Sequence, residues 1–78
     1  MIYIIMRKEI SKYLLTAISC NHLFYKINKQ EDEKVKLDFL LVYYISNEFI
    51  ESYLFNKALS PKDISEINVP LNYARISH

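Results

Sequence analysis

The chain has no glycine in 78 residues, where average usage would supply about five. Glycine adopts positive φ without steric cost. Its absence removes the usual means of closing a two-residue β-hairpin and of ending a helix on a left-handed residue. It also excludes P-loop and dinucleotide-binding loops, whose backbones approach phosphate at glycines. β-rich folds are therefore disfavoured, and an all-α fold is expected.

A chain this short holds one domain, residues 1–78, and buries only a modest share of its surface. Yet 51% of its residues are hydrophobic and 14% aromatic. The stretch "DFLLVYYISNEFIESYLF", residues 38–55, alone holds three of the four Phe and three of the seven Tyr. Part of this apolar surface is expected to face another protein or a second copy. Net charge is +1, far from the strongly basic balance of a nucleic-acid binder. The single cysteine, Cys20, rules out an intrachain disulfide and a four-cysteine zinc site. It fits a reducing compartment, and the expected location is cytoplasmic.

No apolar run is long enough to span a bilayer, which takes about twenty residues; the longest is "FLLVYYI", 39–45. From Met6, "MRKEISKYLLTAISC" resembles a bacterial lipoprotein signal ending at Cys20. Its apolar segment is short, however, and Glu9 interrupts the basic region. Cys20 reads more simply as a small hydrophobe on a helix.

Periodicity suggests three helices. Ile10, Tyr13, Leu14, Ala17 and Ile18 recur at helical spacing, predicting a helix over 7–20. "MIYIIM" reads as its first turns or, given the β-branched content, as a short strand. "LFYKIN", 23–28, is either extended or a continuation of that helix. Asn28 with Glu31, followed by Asp32 and Glu33, resembles an N-terminal cap, so a long central helix is expected over 31–57. Its apolar residues surround the whole circumference between 37 and 45, as in a helix buried on several sides. Ser60 as cap and Pro61 as first residue predict a third helix over 61–67, stopped by Pro70. Residues 68–78 then form an extended or docking tail. The alternative is α+β: Val35, Leu37, Phe39, Leu41, Tyr43 and Ile45 alternate, and a hairpin drawn from 23–45 would be packed by helices, one of them from Asn47 onward. No internal repeat is evident.

No residue set suggests catalysis, and neither metal nor cofactor is expected. Cys20 and His22 lie two apart, so on a helix they point in different directions. His78 is terminal and distant in sequence. Glu48 and Glu51 share a helical face but lack an evident pocket to perturb their pKa.

The surplus of tyrosine is the strongest functional signal, because tyrosine favours interfaces. The expected function is a small non-catalytic protein-binding regulator or inhibitor, of a kind often encoded by phages or mobile elements. Tyr43, Tyr44 and Phe55 would make the apolar contacts of an aromatic-rich helical surface, with Glu48 and Glu51 on its rim. Two alternatives stand beside it. One is a minor structural subunit of a larger complex. The other is a nucleic-acid-binding module using Arg7, Lys8 and Lys12 near Tyr13.

Across residues 46–66, "SNEFIESYLF…LSPKDI" resembles the small helical-hairpin inhibitors of sporulation histidine kinases. The likeness needs a gap, has no counterpart in the preceding residues, and meets Pro70 within the second helix of that hairpin. It adds to the inhibitor idea without assigning the chain to that family.

Overall fold

The computed structural model of the protein describes residues 1–77; the terminal His78 lies outside them. The fold is α/β, and the all-α expectation is overturned. Five strands form two sheets, every pairing parallel: β1 (Ile2–Ile5), β2 (Tyr13–Leu14), β3 (Lys34–Asp38), β4 (Tyr44–Ile45) and β5 (Asp63–Ile67). The helices are a single turn α1 (Met6–Glu9), α2 (Ala17–Lys29) and α3 (Asn47–Leu59). Two 3₁₀ turns joined by a kink at Tyr73 close the chain over Leu71–Ser77.

The main sheet runs β1-β3-β5. Parallel neighbours are joined by helical crossovers, not hairpins, so the lack of glycine disfavours only antiparallel turns. The two left-handed backbone positions that do occur are taken by Leu41 (φ 61°) and Asn68 (φ 58°). Asparagine tolerates this region; leucine does so at a cost of about 1 kcal/mol.

Alternation along each strand sorts the side chains by face. Ile2 lies beside Val35, which lies beside Ile64; Ile4 lies beside Leu37, which lies beside Glu66. These rows face the helices. Tyr3, Lys36 and Ser65 form a row on the opposite, uncovered face. α2 packs on α3, so both crossovers return on the same side of the sheet. α2 buries Cys20, Leu23, Phe24 and Ile27, and α3 buries Phe49, Ile50 and Tyr53. Tyr53 is the hub: Phe24 and Phe39 both meet its ring edge-on, with centres 5.5 and 6.2 Å away.

Local chemistry explains where the expected helices fail. The first is cut by the two-residue β2, and α2 starts only at Ala17, with the Thr16 hydroxyl accepting from Ser19 N at 3.1 Å. Leu14 is buried as expected of it, but Tyr13 and Ile18 are exposed. "LFYKIN" continues α2, and "MIYIIM" contains β1. The long central helix does not exist. Its first half is β3, a turn and β4, and a true helix begins after Ser46, whose hydroxyl accepts from Phe49 N at 3.0 Å.

Within the α+β alternative, the strand at 34–38 and a helix from Asn47 are present. The hairpin partner at 23–28 is not, because those residues are helical and β3 pairs with β1 and β5 instead. The third expected helix, 61–67, is β5. Ser60 ends α3 rather than capping a new helix, and its hydroxyl accepts from Lys62 N. Within the 3₁₀ segment, Ile76 is fully buried in the chain's own core.

An internal repeat, invisible in the residues, appears in the backbone. The order strand, turn, short strand, helix occurs as β1-α1-β2-α2 and again as β3-turn-β4-α3, with both long helices 13 residues in length. β5 opens a third unit, in which the 3₁₀ segment follows directly. Side-by-side units in one register bury a continuous core that no unit could bury alone.

Candidate functional site

The short sheet creates the most distinctive surface. β2 and β4 pair Tyr13 with Tyr44 and Leu14 with Ile45. Leu14 and Ile45 point inward and are buried, so Tyr13 and Tyr44 stand outward, side by side. The third unit supplies Tyr73, whose ring meets that of Tyr44 edge-on at 6.4 Å. Tyr43 meets Tyr13 in the same manner at 6.2 Å. The result is a row of four tyrosines crossing all three units.

The backbone beneath the row is tightly held. The Lys12 carbonyl accepts from Tyr43 N at 2.8 Å, and the Leu14 carbonyl accepts from Ser46 N at 2.8 Å. Lys12 places its ammonium 5.5 Å from the centre of the Tyr43 ring, a cation–π contact at the edge of the row. Tyr13, Tyr43 and Tyr44 are each about half exposed, as are Leu15, Leu40 and Leu41 from the adjoining segments. Edge-on ring contacts fix the tyrosines without burying them, leaving apolar faces and hydroxyls available together.

The expected binding residues separate. Tyr43 and Tyr44 join the row, but on a turn and a strand rather than a helical surface. Phe55 is 66% exposed on the outer side of α3 and takes part in none of these ring pairs. Glu48 is no free rim acid: its carboxylate accepts from Ala17 N at 2.7 Å, capping the start of α2 from the neighbouring unit. Glu51 is exposed. The basic residues also part company. Lys12 sits over Tyr43, Arg7 lies in the electrostatic reach of Asp38, and Lys8 is exposed.

Tyr13 and Tyr73 were missed as members of the site. The available signal was positional: Tyr13 stands three residues before the cap Thr16, and Tyr43 three before the cap Ser46.

Two polar clusters are structural in geometry. The buried Asp38 accepts from Asn68 Nδ2 and Leu40 N, both at 2.9 Å, and from the Tyr3 hydroxyl. The Asn68 and Tyr3 bonds hold its carboxyl below the usual carboxylate range. Glu66 accepts from the Tyr53 hydroxyl and from Lys57 Nζ at 2.7 Å. Cys20 is buried and His22 exposed, so they do not meet as a pair. Burial pushes the Cys20 thiol up to about 11, a hydrogen bond with Ser52 opposing. Among the described residues, no group of three His, Cys, Asp or Glu side chains converges as a metal site, and no helix is long and apolar enough to cross a membrane.

Compared with known proteins, the chain matches no protein-family model, no curated protein and no solved structure.

Proposed function

We propose that the chain is a non-catalytic protein-binding module, a regulator or a minor subunit, that grips a segment of another protein along its tyrosine row. The observation that carries this reading is the row itself: Tyr13 and Tyr44 stand outward side by side on the short sheet, Tyr43 meets Tyr13 edge-on, and the partly buried Tyr73 braces Tyr44 from the third unit. Stacked units repeat one surface position in a line, and such lines are used for extended ligands. Tyrosine is well suited to such a line. Its two torsions limit the ordering cost, while one residue offers both apolar area and a hydrogen-bonding tip.

The test is selection of displayed random peptides on the wild-type protein, followed by calorimetry of the winners. Tyr13→Ser and Tyr44→Ser are each expected to weaken binding about tenfold or more, the loss of one aromatic anchor. Phe55→Ala is expected to leave it unchanged. Peptides that bind Tyr44→Ser as tightly as wild type would refute the proposal.

A further inference from the structure

The three segments that carry the tyrosine row, residues 10–16, 39–46 and 68–77, contain no aspartate or glutamate. Their only charged residues are Lys12 and Arg75. All nine acids of the chain lie elsewhere, and the three that flank these segments are turned to internal partners. Glu9 pairs with Lys26, the buried Asp38 accepts from Asn68, Leu40 and Tyr3, and Glu48 accepts from Ala17 N. Among the described residues, no ion pair takes up the Lys12 ammonium, which stands over the Tyr43 ring with its charge intact. Arg75 is exposed, two residues beyond Tyr73.

The hydroxyls point the same way. Where a tyrosine hydroxyl of this fold has an acid in reach, it donates to it: Tyr3 to Asp38, and Tyr53 to Glu66. The hydroxyls of Tyr13, Tyr43, Tyr44 and Tyr73 meet no protein acceptor among the described residues. The row is therefore a surface of hydroxyl donors and a cation, set among exposed leucines, with no carboxylate of its own.

We propose that the segment gripped by the row is acidic, an extended peptide in which Asp or Glu alternates with apolar side chains. This rests on the row being the binding surface. The carboxylates accept from the row hydroxyls and from Lys12, and such charge-assisted bonds are stronger than neutral ones. Side chains of an extended segment alternate in direction, so the apolar ones cover Leu15, Leu40 and Leu41, each about half exposed. A single nucleic-acid strand fits less well. The rings meet edge-on at 70° and 89°, so they do not form the row of parallel faces on which successive bases stack. Two cations also match few phosphates.

The test is fluorescence anisotropy with three labelled peptide pools of one apolar composition, whose polar positions are all Glu, all Gln or all Lys. The Glu pool is expected to bind about tenfold tighter than the Gln pool and to lose that margin as salt rises, with the Lys pool weakest. Lys12→Glu, at an exposed position, is expected to erase the margin without weakening the Gln pool. Tyr44→Ser is expected to weaken the Glu and Gln pools alike. Equal binding of the Glu and Gln pools, both weakened by Tyr44→Ser, would overturn the acidic preference and leave the row as the binding surface. A Glu pool that binds Tyr44→Ser as tightly as wild type would overturn both. No binding of the Glu pool, or tighter binding of oligothymidylate, would also overturn the inference.

Discussion

The hydroxyl of Tyr53, on α3, donates to the carboxylate of Glu66, the one inward-facing acid on β5, and Lys57 Nζ reaches the same carboxylate oxygen at 2.7 Å. Glu66 is almost fully buried, its side chain 5% exposed. A charge in that position persists only when paired and hydrogen-bonded. Removing it strands two partners at once. Glu66→Ala is expected to destabilise the fold by about 3 kcal/mol, read as a lower urea midpoint. Tyr53→Phe keeps the ring and the ion pair and is expected to cost about 1 kcal/mol.

Alkali should weaken the fold in two stages. Burial raises the Cys20 thiol to about 11 from its ordinary 9.0. Its contribution is complete below pH 9 and disappears as pH rises through about 11, amounting to about 2 kcal/mol. Tyr53 is raised above its ordinary 10.0 by burial first and by the bond to Glu66 second, so its loss begins above pH 10. Urea midpoints at pH 8 and pH 10.5 should differ clearly in the wild type and less in Cys20→Ala. For the same reason Cys20 should resist thiol reagents at pH 8 until the protein unfolds.

Asp38 acts in the opposite direction. Its carboxyl is held below the ordinary 3.8 by hydrogen bonds from Asn68 and Tyr3. That stability is present above pH 4 and is lost as pH falls through the lowered value. Asp38→Ala leaves Asn68 Nδ2 and Leu40 N without their acceptor and is expected to cost about 2 kcal/mol. Acid titration of the midpoint should flatten in this variant.

The two cap residues test the repeated design. Thr16→Ala and Ser46→Ala each remove a hydroxyl that accepts from the first turn of a long helix, worth about 1 kcal/mol. Ser46 should be the more costly, because its hydroxyl also donates to the Leu15 carbonyl at 2.6 Å and ties α3 to the first unit.

The turn after β3 uses a leucine where φ is 61°. Leu41 is half exposed, so little packing is at stake. Leu41→Asn is expected to stabilise the protein by about 0.5 kcal/mol, because asparagine tolerates the left-handed region better. A lower midpoint would show that the exposed leucine contributes packing that outweighs its backbone strain.

Several features were legible in the residues. The β-branched start reads as a strand or as the first turns of a helix, the polar break at 28–34 separates two elements, and the residues from Asn47 onward read as helical in both the all-α and the α+β readings. The surplus of tyrosine pointed to a surface, and Tyr43 and Tyr44 are part of one. Local pattern alone could not decide 34–45. Val35 and Leu37 suit a strand by alternation and, among the apolar residues around them, a buried helix equally well. Only pairing with Ile2, Ile4 and Ile64, distant in sequence, makes them a strand. Likewise Ser60-Pro61 is a sound helix start until β3 offers Asp63–Ile67 an edge to join. The tyrosine row has no local signature, because its members come from three units and meet only when those units stack. The sequence by itself determined the apolar supply and the polar break near residues 28–34. The tertiary structure decided which apolar residues became strands, because a parallel sheet draws its hydrogen-bonding partners from across crossovers that no local window spans.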